Sequence, residues 1–148
     1  MNDKEIKYSE LLKSASALLE GETNKVSKMA NLAAAVHGCF GFWWTGFYLV
    51  SDGELVLGPF QGPVACMHIG FGKGVCGTAW KENRTVIVPD VEQFPGHIAC
   101  SSESRSEIVV PMRDASGSVV GVLDIDSREL GTFDDIDALW LDRLAALI

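Results

Sequence analysis

Three cysteines, three carboxylates and a pair of tryptophans are the residues here whose types and spacing could do chemistry. Cys100 stands in "FPGHIACSSESRSEIVVP" (Phe94–Pro111), between a Gly-His turn and a run of serines. Free cysteine is among the most often buried residue types, so one in a stretch that reads as an exposed loop invites a reactive role. Cys66, in "PFQGPVACMHIGFG", likewise follows a small apolar doublet in a loop, and each loop carries a histidine, His68 or His97. Cys76 falls in the first turn of a short helix opened by "GKGVCG". Backbone N–H groups at that position favour a thiolate; packing as a small core residue beside Ala79 is the equal alternative. Such thiols suit a redox centre, which needs one reactive and one resolving cysteine. A metal site built from Cys66, His68, Cys76, His97 and Cys100 fits less well, because the sequence lacks the C-x₂₋₄-C pair with which structural zinc sites usually begin. "GKGVCG" also matches G-x-G-x-x-G, but the helix is short and Asp90 comes too early for a ribose-binding acid. Its glycines read instead as permitting close backbone approach.

The acids add a second chemistry. In "VVGVLDIDS" strand alternation puts Val120, Val122, Asp124 and Asp126 on one face, with Leu123 and Ile125 on the other. Glu107 leads the preceding strand, "SEIVVP", and pairing across the "RDASG" turn brings it towards Asp124 and Asp126. Three carboxylates on one enclosed face repel one another unless a cation sits among them. That cation could be Arg105, Arg113 or Arg128, the ammonium of a small ligand, or a metal held by carboxylates. Trp43 and Trp44 are adjacent, so one faces the core and the other the opposite side, where an aromatic wall could hold a cationic or methyl-bearing group.

These residues have to be positioned by a regular framework. Apolar spacing from about Lys4 to Glu20 predicts a helix. "KVSKMANLAAAVHGCF" predicts a second, with Gly38 as its stop. "FWWTGFYLV", the turn "SDG" and "ELVLGPF" form a hairpin, and Gln61 to Gly72 reads as a long irregular segment. "GVCGTAWKEN" is a short helix and "RTVIVPD" a strand; "SEIVVPM" and "SVVGVLDIDS" make a second hairpin. "FDDIDALWLDRLAALI" is a closing helix with acids in its first turn. This order predicts an α+β domain, an antiparallel sheet with the N- and C-terminal helices packed on one face and ligand-covering loops on the other.

Composition narrows the field. The chain has 148 residues, 47% of them apolar and 22% charged, as expected for one globular domain. A net charge of −8 and the lack of a basic stripe argue against nucleic acid. No apolar run approaches the roughly 18–20 residues of a membrane span, and the charged start "MNDKEIKYSELLKS" points to the cytoplasm. Cysteines in such a compartment read as catalytic, redox-sensing or metal-binding rather than as a disulfide framework.

Taken together, "GPFQGPVAC", "GKGVCGTAW", "GHIACSSESRSEIVVP" and "GVLDIDS" resemble the free methionine-(R)-sulfoxide reductases, which are built on a GAF domain. The likeness runs from about Phe40 to Asp137. It implies a single GAF domain over residues 1–148, with N-terminal helices in 1–39, a motif-bearing core in 40–137 and a C-terminal helix in 134–148. It implies Cys100 as the catalytic thiolate, Cys66 as the resolving thiol and Cys76 as an alternative or secondary one. Thioredoxin would be the electron donor, with no bound cofactor and no metal. Glu107, Asp124 and Asp126 would take the substrate's ammonium and help protonate its oxygen; Trp44 would pack on its S-methyl group. A homodimer is a further expectation, because GAF domains often pair through their helices. The rival reading is a non-catalytic GAF sensor of a small amine or nucleotide, with its cysteines as a redox switch.

Overall fold

The computed structural model describes residues 1–97 and 103–148. The helices end where side chains satisfy their exposed backbone groups. α1 (Asp3–Leu19) opens on a capping box between Asn2 and Glu5, and α2 (Lys25–Phe40) opens on Asn24, whose side chain accepts from the Ser27 N–H. α2 runs through Gly38 and stops at Gly41, which takes the left-handed conformation at φ 67° and closes onto the His37 carbonyl. The predicted stop at Gly38 is therefore three residues early. A glycine costs a helix only about 1 kcal/mol, whereas the C-terminal cap requires the positive φ. α3 (Gly74–Glu82) is the short helix, and α4 (Asp135–Ala145) opens on a capping box between Asp134 and Asp137.

The strands are β1 (Trp44–Ser51), β2 (Glu54–Gln61), β3 (His68–Gly70), β4 (Val86–Val88), β5 (Ser106–Arg113) and β6 (Val119–Ser127). They form one sheet in the order β3-β2-β1-β6-β5-β4, with every pairing antiparallel. β3 lies inside the segment that reads as irregular, because three residues are too few to show a period.

Alternation sorts the sheet's two faces. Phe47, Ile108, Val110, Leu123 and Ile125 point one way and are buried against Tyr8 and Leu11 of α1, Leu32 and Val36 of α2, and Leu141 and Leu144 of α4. The opposite face carries Trp44, Tyr48, Val109 and Val122 and is covered by α3, through Val75, Cys76 and Ala79. Three helices thus back the sheet, while the fourth and the loops cover the other side. A buried polar clasp ties the chain's two ends together. The Tyr8 hydroxyl donates to Asp137 Oδ1 at 2.5 Å, and the Lys4 ammonium meets Asp137 Oδ2 at 2.7 Å. Among the described residues, no helix is long and apolar enough to cross a membrane.

Candidate active site

Strand register assembles the acids. Asp126 of β6 lies between Trp44 of β1 and Glu107 of β5, and Glu107 lies opposite Val88 of β4. One row along, Asp124 lies between Gly46 and Val109. Asp124 and Asp126 are two residues apart, so both face away from the three-helix layer, beside Glu107. Together with Cys76, Tyr48 and His97 they line a pocket that is partly open to solvent.

Burial decides the protonation of this cluster. Glu107 and Asp124 are 6% and 5% exposed. Loss of water, then repulsion from Asp124 and Asp126, pushes the Glu107 carboxyl well above its usual range. Burial, then the charge of Asp124, does the same to Asp126. Asp124 is raised by burial too, against hydrogen bonds with Glu107 and Cys76 that favour its charged form. Ser104 Oγ donates to Asp126 Oδ1 at 3.2 Å. Asp124 Oδ1 is buried with no hydrogen-bond partner among the described residues.

Two of the three candidate arginines are engaged elsewhere. Arg113 donates to Asn83 Oδ1 at 2.6 Å, and Arg128 lies 4.5 Å over the Trp43 ring and pairs with Glu103 at 3.3 Å. Arg105 is exposed. Among the described residues none of these three is paired with the acids. His97 Nε2 approaches Glu107 Oε1 to 4.0 Å, but burial lowers its pKa and favours the neutral ring. The pocket is thus an acidic recess able to take a small cation from outside.

Trp44 makes one wall. Its indole N–H donates to the Pro63 carbonyl at 3.0 Å, and its ring stacks against Phe60 and Tyr48. The ring lies across Gly46: a Cβ there would sit 2.6 Å from Trp44 Cη2 and 2.4 Å from Phe60 Cβ. Trp43 lines the pocket's edge beneath Arg128.

The cysteines differ sharply. Cys76 is buried on α3 beside Asp124, and its thiol is pushed well above the ordinary value, first by burial and then by the three acids. Of the two readings of Cys76, packing as a small core residue beside Ala79 fits and the thiolate does not, because the carboxylates and the lack of water outweigh the helix end. Cys66 is half-buried and disulfide-bonded, and its carbonyl accepts from the Tyr48 hydroxyl at 2.9 Å. Cys39 and Cys76 are free thiols. Cys100 lies outside the described residues. His68, on β3, pairs with Glu54 at 2.7 Å. Sequence reasoning did not single out Tyr48 or Ser104. Tyr48 could have been found by alternation from Trp44, whereas Ser104 carries no signal within a serine-rich loop.

Residues 29–148 match the GAF domain family. The chain is 44% identical over 156 residues to the free methionine-R-sulfoxide reductase of Saccharomyces cerevisiae, covering 100% of this chain and 86% of that one. This chain belongs to the GAF-type free methionine-R-sulfoxide reductase family. Another relative in this similarity range is GAF domain-containing protein A of Dictyostelium discoideum, 53% identical over 146 residues, covering 98% of this chain and 92% of that one. The X-ray structure of the free methionine-R-sulfoxide reductase of Neisseria meningitidis, in complex with its substrate, matches the fold with a TM-score of 0.96 at 51% identity. That match covers 99% of this chain and 89% of the other.

Proposed function

We propose that this protein is an oxidoreductase that reduces free L-methionine (R)-sulfoxide to methionine, with residues 1–148 acting as one domain. The observation that carries this reading is the partly enclosed acid cluster, Glu107, Asp124 and Asp126, set in register with Trp44. The cluster would hold the ammonium of a free amino acid, which a methionine within a peptide lacks. Trp44 would pack on the S-methyl group and disfavour the epimer that turns its oxygen to the indole.

In this scheme the Cys100 thiolate attacks the sulfoxide sulfur as the oxygen takes a proton from a carboxyl of the cluster. The transient bond between the two sulfurs and the substrate S–O bond then break as the hydroxyl passes to Cys100, so methionine leaves with its sulfur reduced by two electrons and Cys100 is left as a sulfenic acid. The Cys66 thiol attacks that sulfur, water departs and a disulfide forms. Thioredoxin then supplies two electrons by dithiol exchange and is oxidised to its own disulfide. The disulfide at Cys66 and the free, proton-retaining Cys76 support Cys66 as the resolving thiol, with Cys76 secondary. Family membership favours this enzyme over the non-catalytic sensor.

We place the reaction in the cytoplasm, where the thioredoxin couple is reducing. Leu18 and Val26 remain exposed on α1 and α2, and a homodimer paired through these helices would cover them. The test is NADPH oxidation coupled through thioredoxin and its reductase. Wild type should turn over the free R sulfoxide and Cys100→Ser should be inactive; unimpaired turnover by Cys100→Ser would remove the assignment of the nucleophile.

A further inference from the structure

The pocket brings together a donor set that the sequence does not announce. Cys76 Sγ and one carboxylate oxygen each from Glu107 and Asp124 all lie within 4.8 Å of one another, and all three residues are buried. They come from α3, β5 and β6, so no short spacing motif links them. Asp124 Oδ1 supplies the second observation: it is buried in a residue 5% exposed, in the wall of an open pocket, and has no hydrogen-bond partner among the described residues.

We propose that Cys76, Glu107 and Asp124 form a binding site for one thiophilic divalent cation of the zinc class, which blocks the acid pocket when loaded. This departs from the expectation of a metal-free protein and from the cysteine–histidine set weighed on sequence grounds. A zinc ion takes sulfur at about 2.3 Å and carboxylate oxygen at about 2.0 Å, which puts tetrahedral ligand atoms about 3.5 Å apart. The donor atoms, at most 4.8 Å apart, would have to draw together by about an ångström to meet that spacing. Three protein ligands with the fourth position open to the pocket is an arrangement zinc commonly adopts. The thiolate selects zinc, cobalt or cadmium over magnesium or calcium, which prefer all-oxygen sites.

The charge balance is direct. As ligands the three groups are anions carrying three negative charges, of which a divalent cation offsets two. Zinc binds sulfur as the thiolate, so loading the site releases the Cys76 proton to solvent. The loaded site then occupies two of the carboxylates assigned to the substrate ammonium. Zinc would therefore act as a reversible inhibitor, relieved by a chelator.

Cobalt(II) is the probe, because a Co–S bond gives a near-ultraviolet charge-transfer band. In the full chain carrying Cys39→Ser, Cys66→Ser and Cys100→Ser, Cys76 is the sole thiol. Cobalt should raise the band to one ion per chain, zinc should bleach it and magnesium should not. Adding Cys76→Ser should abolish it, and Asp124→Asn or Glu107→Gln should weaken cobalt binding by about ten-fold or more. If the triple variant loses its helical circular dichroism, calorimetric zinc titration of reduced wild type against Cys76→Ser decides the matter through proton release. No band in a folded Cys76-only protein, a band that survives Cys76→Ser, or unchanged affinity in both amide variants would overturn the proposal. None of these readouts needs turnover. A protein that binds cobalt here but reduces no sulfoxide keeps the site and loses the reductase reading.

Discussion

Replacing Glu107 with glutamine should flatten the pH dependence of folding stability. In the unfolded chain Glu107, Asp124 and Asp126 ionise at about pH 4. In the fold burial raises all three, and the charge of Asp124 adds to it at Glu107 and Asp126. The native state therefore keeps protons that the unfolded chain has released. Its stability is complete below about pH 4 and is lost as pH rises through the raised values. While a proton is fully retained it costs about 1.4 kcal/mol per pH unit, and the cost levels off once pH passes the raised value. The groups facing Glu107 are Asp124, Asp126, Cys76 and His97. Cys76 is raised, so it matters only at alkaline pH; His97 is lowered by burial, so it adds stability as pH rises and partly masks the effect in wild type. The difference between the two proteins removes that contribution. Urea unfolding from pH 5 to pH 8 should show Glu107→Gln gaining on wild type as pH rises, by at most about 1.4 kcal/mol per pH unit. Parallel curves would refute the claim that this cluster holds protons in the fold.

Two further substitutions test the framework. Gly46→Ala places a methyl 2.4 Å from Phe60 Cβ and 2.6 Å from the Trp44 ring. Overpacking of this kind costs about 1–3 kcal/mol and should swing the indole into the pocket. A lower urea midpoint, an altered near-ultraviolet circular dichroism spectrum and weaker binding of free methionine are expected; an unchanged spectrum would show that the glycine does not set the ring. Tyr8→Phe removes the donor to Asp137, which is 1% exposed, and should cost about 1–3 kcal/mol in urea unfolding without altering the pocket. A stability equal to wild type would mean that Lys4 alone satisfies the carboxylate.

The periodic parts of the chain were the legible parts. Alternation in β6 placed Asp124 and Asp126 on one face and Leu123 and Ile125 on the other, and pairing across one turn brought Glu107 opposite Asp126. Helix type was plain, but the end of α2 was not, because Gly38 and Gly41 look alike until φ is known. β3 was too short to announce itself. The state of Cys76 was the least legible feature of the pocket. Its position in α3 suggested an anion, yet the side chain points into three carboxylates that reach it from β5 and β6. Such contacts are long-range, and no local pattern encodes them. The destination of the arginines was hidden for the same reason: Arg128 could have neutralised the acids but stacks on Trp43.

The most direct test of the proposed activity is to follow a racemic mixture of free methionine sulfoxides by chiral chromatography, with thioredoxin, its reductase and NADPH present. The R epimer should disappear with equimolar formation of methionine, while the S epimer and an N-acetylated, amide-capped methionine sulfoxide remain. Equal consumption of both epimers, equal turnover of the capped substrate, or no methionine at all would contradict the assignment.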